Sequence, residues 1–158
     1  MYLDHVIKRA TSVPYFSPNE FIPCTIDEVL ALEQFLGSPL PRAYREFLLW
    51  MGHSGGKFLQ GTDCFYSDLF LIQEGAKELL EEDKFSGQLP ENAFVFYMHQ
   101  GYQFQFFLLN EEDPPVYFYL EERPIRTSFV KLYSSFSEFL SIELEGHIKS
   151  EAYRIFPS

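Results

Sequence analysis

Gly52-His53-Ser54-Gly55-Gly56 reproduces the Gly-x-Ser-x-Gly pattern of a nucleophile elbow. Its chemistry would be acyl transfer through Ser54, with an acid and His99 or His147 arriving later in the chain. An elbow places its serine at a strand-to-helix turn. Here Tyr44, Phe47, Leu48 and Met51 precede the motif at helical spacing, and Gly61 follows too soon for a helix. The order is reversed, and the chain is short for an α/β-hydrolase. We read the motif as a helix-to-strand turn and Ser54 as no nucleophile, so a small serine hydrolase ranks only third among the functions weighed. Gly56-Lys57 invites a phosphate-loop reading, which fails: Met51 stands where the first glycine should be, and Phe58 replaces the hydroxyl.

His5, His53, His99 and His147 are scattered without i, i+4 pairing, and Cys24 and Cys64 match no metal-ligand spacing. We expect reduced, packing cysteines, no metal, no cofactor and no catalytic set. His99, beside a turn, reads as a surface residue, and Trp50 as a packing anchor. Glu81-Glu82-Asp83, Glu111-Glu112-Asp113 and Glu121-Glu122 read as solvated carboxylates whose functional use would be docking a basic protein. Tyr97, Tyr102, Tyr117 and Tyr119 are expected on one sheet face, where tyrosine joins apolar area to a hydrogen-bonding tip.

The elements that would position these residues can be read from pattern. Thr25 and Glu28 form a capping box ahead of Ile26, Val29, Leu30 and Leu36, and Gly37 stops that helix. Leu40-Pro41 opens a second helix, closed by Gly52. Both helices are expected in the core. Leu3, Val6, Ile7 and Ala10 make a short first helix, and Pro14, Pro18 and Pro23 punctuate an irregular stretch after it. Phe58, Leu59 and Cys64-Phe65-Tyr66 read as strand material, and 74–83 as an acidic helix with a stripe at Ala76, Leu79 and Leu80. Alternation predicts a hairpin of 93–99 and 102–109 about Gln100-Gly101, with one face buried and the other carrying Tyr and Gln. Strands are expected next at 116–120 and near 129–132, then a helix capped by Ser135 and Glu138 that buries Phe136, Phe139, Leu140 and Leu144. The expected fold is α+β: an antiparallel meander with helices on one face. It spans a single domain, 1–158, with 1–24 as an N-terminal extension.

Composition agrees with one packed domain. Apolar residues make up 46% of 158, and 18 Phe and 10 Tyr supply a core needing no disulfide. A formal charge of −11 repels phosphate backbones and anionic lipid and favours basic partners, so neither nucleic acid nor membrane is expected. No apolar run approaches the ~20 residues of a membrane span. The first residues lack a signal-peptide layout, giving a cytoplasmic expectation.

A helix ending in Gly37, then Leu40-Pro41-x-x-Tyr44-x-x-Phe47-Leu48 and a closing Gly52, resembles the SUKH superfamily, which includes fungal cell-wall-assembly regulators and bacterial toxin-immunity proteins. The likeness continues through Leu89-Pro90, Pro114-Pro115-Val116 and Ser135-Phe136-Ser137-Glu138-Phe139-Leu140. It implies an α+β binding domain without a catalytic motif. Many members carry an acidic residue in the central hairpin turn where this chain has Gln100-Gly101, so no contact of that acid carries over.

The resulting expectation is a non-catalytic cytoplasmic immunity protein that neutralises a toxin domain by direct binding, the alternative being a regulatory scaffold of the cell-wall type. The expected surface is an aromatic patch of Tyr102, Gln103, Tyr117 and Tyr119, rimmed by Glu111, Glu112, Asp113, Glu121 and Glu122. No Lys or Arg occurs between 111 and 122. The acidic 74–83 helix is next in line. Oligomeric state is left open.

Overall fold

The computed structural model describes residues 1–121 and 129–155. In chain order these form α1 (Asp4–Thr11), β1 (Phe21–Ile22), α2 (Ile26–Leu36), α3 (Arg42–Met51), β2 (Ser54–Gly55), α4 (Tyr66–Glu82), β3 (Ala93–His99), β4 (Gln103–Leu108), β5 (Val116–Leu120), β6 (Val130–Tyr133) and α5 (Phe136–Ile155). The local signals act as the patterns require. Thr25 Oγ1 accepts from Glu28 N at 3.2 Å, and Glu28 Oε1 accepts from Thr25 N at 2.9 Å. Gly37 ends α2 at φ +71°, a conformation that costs glycine nothing. Ser135 Oγ caps α5 by accepting from Glu138 N at 3.1 Å, but the Glu138 carboxylate reaches back to Ser134 N rather than to the capping residue.

Strands β3 to β6 form an antiparallel meander in sequence order, and β1 pairs with β2 in a separate two-residue ladder. The β3–β4 turn places Gln100 and Gly101 at φ +52° and +73°, two left-handed residues matching the twist of a tight hairpin. The α+β meander is therefore as the alternation requires.

Its sidedness is not. Tyr44 of α3 packs its ring 5.2 Å from each of Phe94, Phe107 and Phe136, placing α3 and α5 on one face. On the other face Phe104, Phe106, Tyr117, Tyr119 and Phe129 form a second aromatic cluster, joined by Phe85 just beyond α4. Among the described residues no ring pair links the two clusters. The sheet is thus covered on both faces, which corrects the expectation of helices on one side and of an open Tyr/Gln face; even Gln105 is buried. A bulge between Val95 and Tyr97 breaks the simple alternation of β3. Phe94 and Phe96 point to α3 and α5, while Met98 turns to α4, where a Cβ on Gly75 would sit 3.6 Å from its Sδ.

Two further expectations are overturned. Residues 57–62 form turns, and Tyr66 opens α4 instead of ending a strand; only Asp63 pairs with Met98 in an isolated bridge. Helix α4 therefore begins eight residues before the acidic stretch, although Ala76, Leu79 and Leu80 are buried as its stripe demands. Helix α3 is core, with Ala43, Tyr44, Phe47, Leu48 and Met51 buried. Helix α2 is peripheral: only Val29 and Leu32 are buried, and Ile26, Leu30 and Phe35 are exposed. Its apolar residues occupy more of the circumference than one seam can cover. The N-terminal extension is packed, with Leu3, Val6 and Ala10 buried and α1 against α5.

Candidate functional site

The Gly52–Gly56 loop is shaped by packing. A Cβ on Gly52 would lie 2.3 Å from Cys24 Sγ, so the close approach of α3 to the β1–α2 turn requires glycine. Ser54 lies in β2 after a helix and before turns, and its Oγ accepts from Gly56 N at 3.1 Å; this is not an elbow. Tertiary folding does gather Cys24, Glu28 and His53, whose donor atoms lie within 4.8 Å of one another. Sequence spacing could not show this, because His53 arrives from a different element. Each group already has a role. Glu28 holds Thr25 N with one oxygen and His53 Nε2 with the other at 2.8 Å, while burial pushes the Cys24 thiol up to about 12. The cluster acts as an extended helix cap.

The backbone hydrogen bond from Thr25, with help from His53, holds the Glu28 carboxyl below its ordinary value near 4.5. A carboxylate whose pKa is lowered on folding stabilises fully above the unfolded value and loses that contribution as pH falls through the folded one. Glu28→Gln, which keeps an oxygen for Thr25 N, is expected to flatten the fall in melting temperature below about pH 4.5. Parallel acid branches for the two proteins, measured by circular dichroism, would contradict this assignment.

The expected aromatic patch is divided by the fold. Tyr102 and Glu121 are exposed neighbours, with Glu121 N donating to Tyr102 O at 3.0 Å, and Gln103 beside them is half-buried. Tyr117 is half-buried and stacked on Phe106. Tyr119 is 3% exposed and donates its hydroxyl to Asp83 at 2.6 Å, so it packs rather than recognises. Tyr97 lies on the opposite face against Phe139, where burial pushes its hydroxyl up to about 12. Glu111, Glu112 and Asp113 sit in the β4–β5 loop, at the other end of these strands from Tyr102 and Glu121. Asp113 accepts from Ser137 N at 2.9 Å at the start of α5, and Glu112 accepts from the Tyr2 hydroxyl. Glu111 and Glu112 share a shallow groove with Arg42 and Arg45, so their surface is of mixed sign. Glu122 lies outside the described residues. His99, expected at the surface, is half-buried with Nδ1 unpartnered.

The more coherent surface runs along α4. Gln73 turns inward to the free edge of β3: its Oε1 accepts from Val95 N at 3.0 Å, and its Nε2 donates to Val95 O at 2.7 Å and Leu69 O at 2.8 Å. Asp63 pairs its backbone with Met98 farther along the same edge, at 2.8 and 3.1 Å. With the edge closed, α4 and α2 leave a groove of about 360 Å³ lined by Phe35, Leu36, Phe70, Lys77, Leu89 and Pro90, among others. Lys77 and Leu89 also line a second hollow of about 300 Å³ with Leu80, Glu81 and Phe85, so the two are neighbours along α4. Phe35 meets Phe70 at 5.0 Å, Phe70 meets Tyr66 at 5.3 Å, and Tyr66 meets His53 at 5.4 Å. Phe35 is 56% exposed, and Leu71, elsewhere on α4, 75%. Among the described residues Glu74, Glu81 and Glu91 line the walls against one cation, Lys77. The acidic part of this helix was legible in the sequence. Phe35, Phe70 and Leu71 were not, and the one signal for Phe35 was an α2 with more apolar residues than one seam can cover.

These features define a small α+β domain: a four-stranded meander between helices, with an aromatic, acid-walled groove beside α4. The chain belongs to the SMI1 / KNR4 family (SUKH-1), whose family model matches residues 23–142. No curated protein is matched significantly by the sequence. Among the described residues no helix is long and apolar enough to cross a membrane.

Proposed function

We propose that this chain is a non-catalytic immunity protein that acts in the cytoplasm, neutralising a basic toxin domain by binding it directly. Family membership supports a SUKH-type domain, and one observation carries the reading to binding. Large apolar side chains stay exposed along α2 and α4 between carboxylates, on a chain of net charge −11. Exposed aromatic anchors are the usual source of interface energy, and a negative field raises the encounter rate with a basic domain.

The test is co-expression with the C-terminal domain of a large secreted protein encoded beside this gene. Growth is expected to be rescued, and the two chains are expected to co-purify as a complex that weakens with salt. Continued toxicity at equal expression, with no complex on size-exclusion chromatography, would refute the reading.

A further inference from the structure

We infer that the groove along α4, between Phe70 and Glu81, is the seat of a basic amphipathic helix presented by the partner protein. The inference rests on the reading of this chain as a binding protein and deepens it by naming the surface and the chemistry it accepts.

Three observations select this occupant. First, the α4 residues that line the groove run from Phe70 to Glu81, about 17 Å at 1.5 Å per residue, room for roughly three turns of a second helix. Second, the outward backbone groups of β3 at Val95 and Met98 are already taken by Gln73 and Asp63. An added strand would find no partners there, so the occupant engages through side chains, as a helix does in a groove. Third, Phe35 and Phe70 offer aromatic surface for apolar anchors, while among the described residues Glu74, Glu81 and Glu91 outnumber Lys77 on the walls. An occupant with Lys or Arg flanking its apolar stripe is matched in charge, and an acidic one is repelled. A second copy of this chain would bring the same carboxylates face to face, which disfavours self-association.

The probe is a synthetic peptide of about 18 residues with Leu at i, i+3, i+4 and i+7 and Lys elsewhere, against the same peptide with Glu for Lys. The Lys peptide is expected to bind the full chain and to shift the amides of Phe70, Glu74, Lys77 and Glu91, and the Glu peptide to leave them unmoved. Glu74→Lys with Glu81→Lys should weaken binding about tenfold or more, and Phe35→Ser should weaken it without lowering the melting temperature. Glu111→Lys with Glu121→Lys makes the same change in net charge outside the groove and should leave the affinity within about twofold.

Equal losses from the two charge reversals, or shifts mapping elsewhere, would overturn the groove. So would a dimer of the chain alone that dissociates on Phe35→Glu. Toxin neutralisation is scored separately: groove binding without neutralisation sinks the immunity reading alone, and neutralisation untouched by the groove variants sinks the groove alone.

Discussion

Tyr44→Ala is expected to leave the chain largely unfolded or close to it. The Tyr44 ring is fully buried and lies within 5.5 Å of Phe47, Phe94, Phe107 and Phe136 and 6.3 Å of Phe96, so it joins α3, the sheet and α5. Truncating a large buried aromatic costs about 3–5 kcal/mol, against total stabilities of roughly 5–15 kcal/mol. The hydroxyl is a different matter. It is buried without a hydrogen-bond partner, and burial pushes its pKa well above the ordinary value. An unpartnered buried hydroxyl is a desolvation cost of about 1–3 kcal/mol. Tyr44→Phe should therefore melt at or above the wild-type temperature, by a few degrees for a domain of this size. Thermal melts of both variants decide the point; a Tyr44→Phe protein several degrees less stable would mean that the hydroxyl makes a stabilising bond.

Gln73→Ala should have the second-largest effect. Val95 is 1% exposed, and the Gln73 amide meets both its N–H and its C=O. Removing that amide strands two buried backbone groups, at about 1–3 kcal/mol each. It also opens the edge of β3 to pairing with other chains, so aggregation on heating should rise with concentration. Gln73→Glu fills the same volume but replaces the donor with an acceptor facing the carbonyls of Val95 and Leu69, and should be nearly as damaging at neutral pH. Hydrogen exchange at the Val95 amide reads the effect directly. Unchanged protection in both variants would mean that another group closes the edge.

Much of the fold was legible because its signals are local. Thr25 and Glu28 meet across one helical turn, Gly37 meets a left-handed requirement of its own backbone, and Gln100-Gly101 supplies both residues of a tight hairpin turn. The Leu-Pro-x-x-Tyr-x-x-Phe-Leu stretch carried the family for a similar reason: its periodic residues line a helix whose burial is nearly complete on one side. The start of α4 was not legible. No side chain caps it, Phe65 precedes it in an extended conformation, and Tyr66 N donates at 2.7 Å to Gly52 O, fourteen positions back in the chain. Cys64-Phe65-Tyr66 thus looks like strand until that remote carbonyl is in place.

The division runs deeper for the candidate surface. From its sequence alone the chain determines an acidic α+β domain with a meander, the hairpin turn at Gln100-Gly101 and its main helix caps, since each depends on neighbours within a few residues. Only the tertiary structure decided that Tyr119 is buried against Asp83 and that Glu111–Asp113 stand at the far end of the strands from Tyr102. It alone set Phe35 of α2 against Phe70 of α4. One bulge at Val95–Tyr97 redirects Met98, and a helix on the second face turns a supposed open sheet into a core. Periodicity reports which side chains share a face; which face meets water depends on what the rest of the chain lays against it.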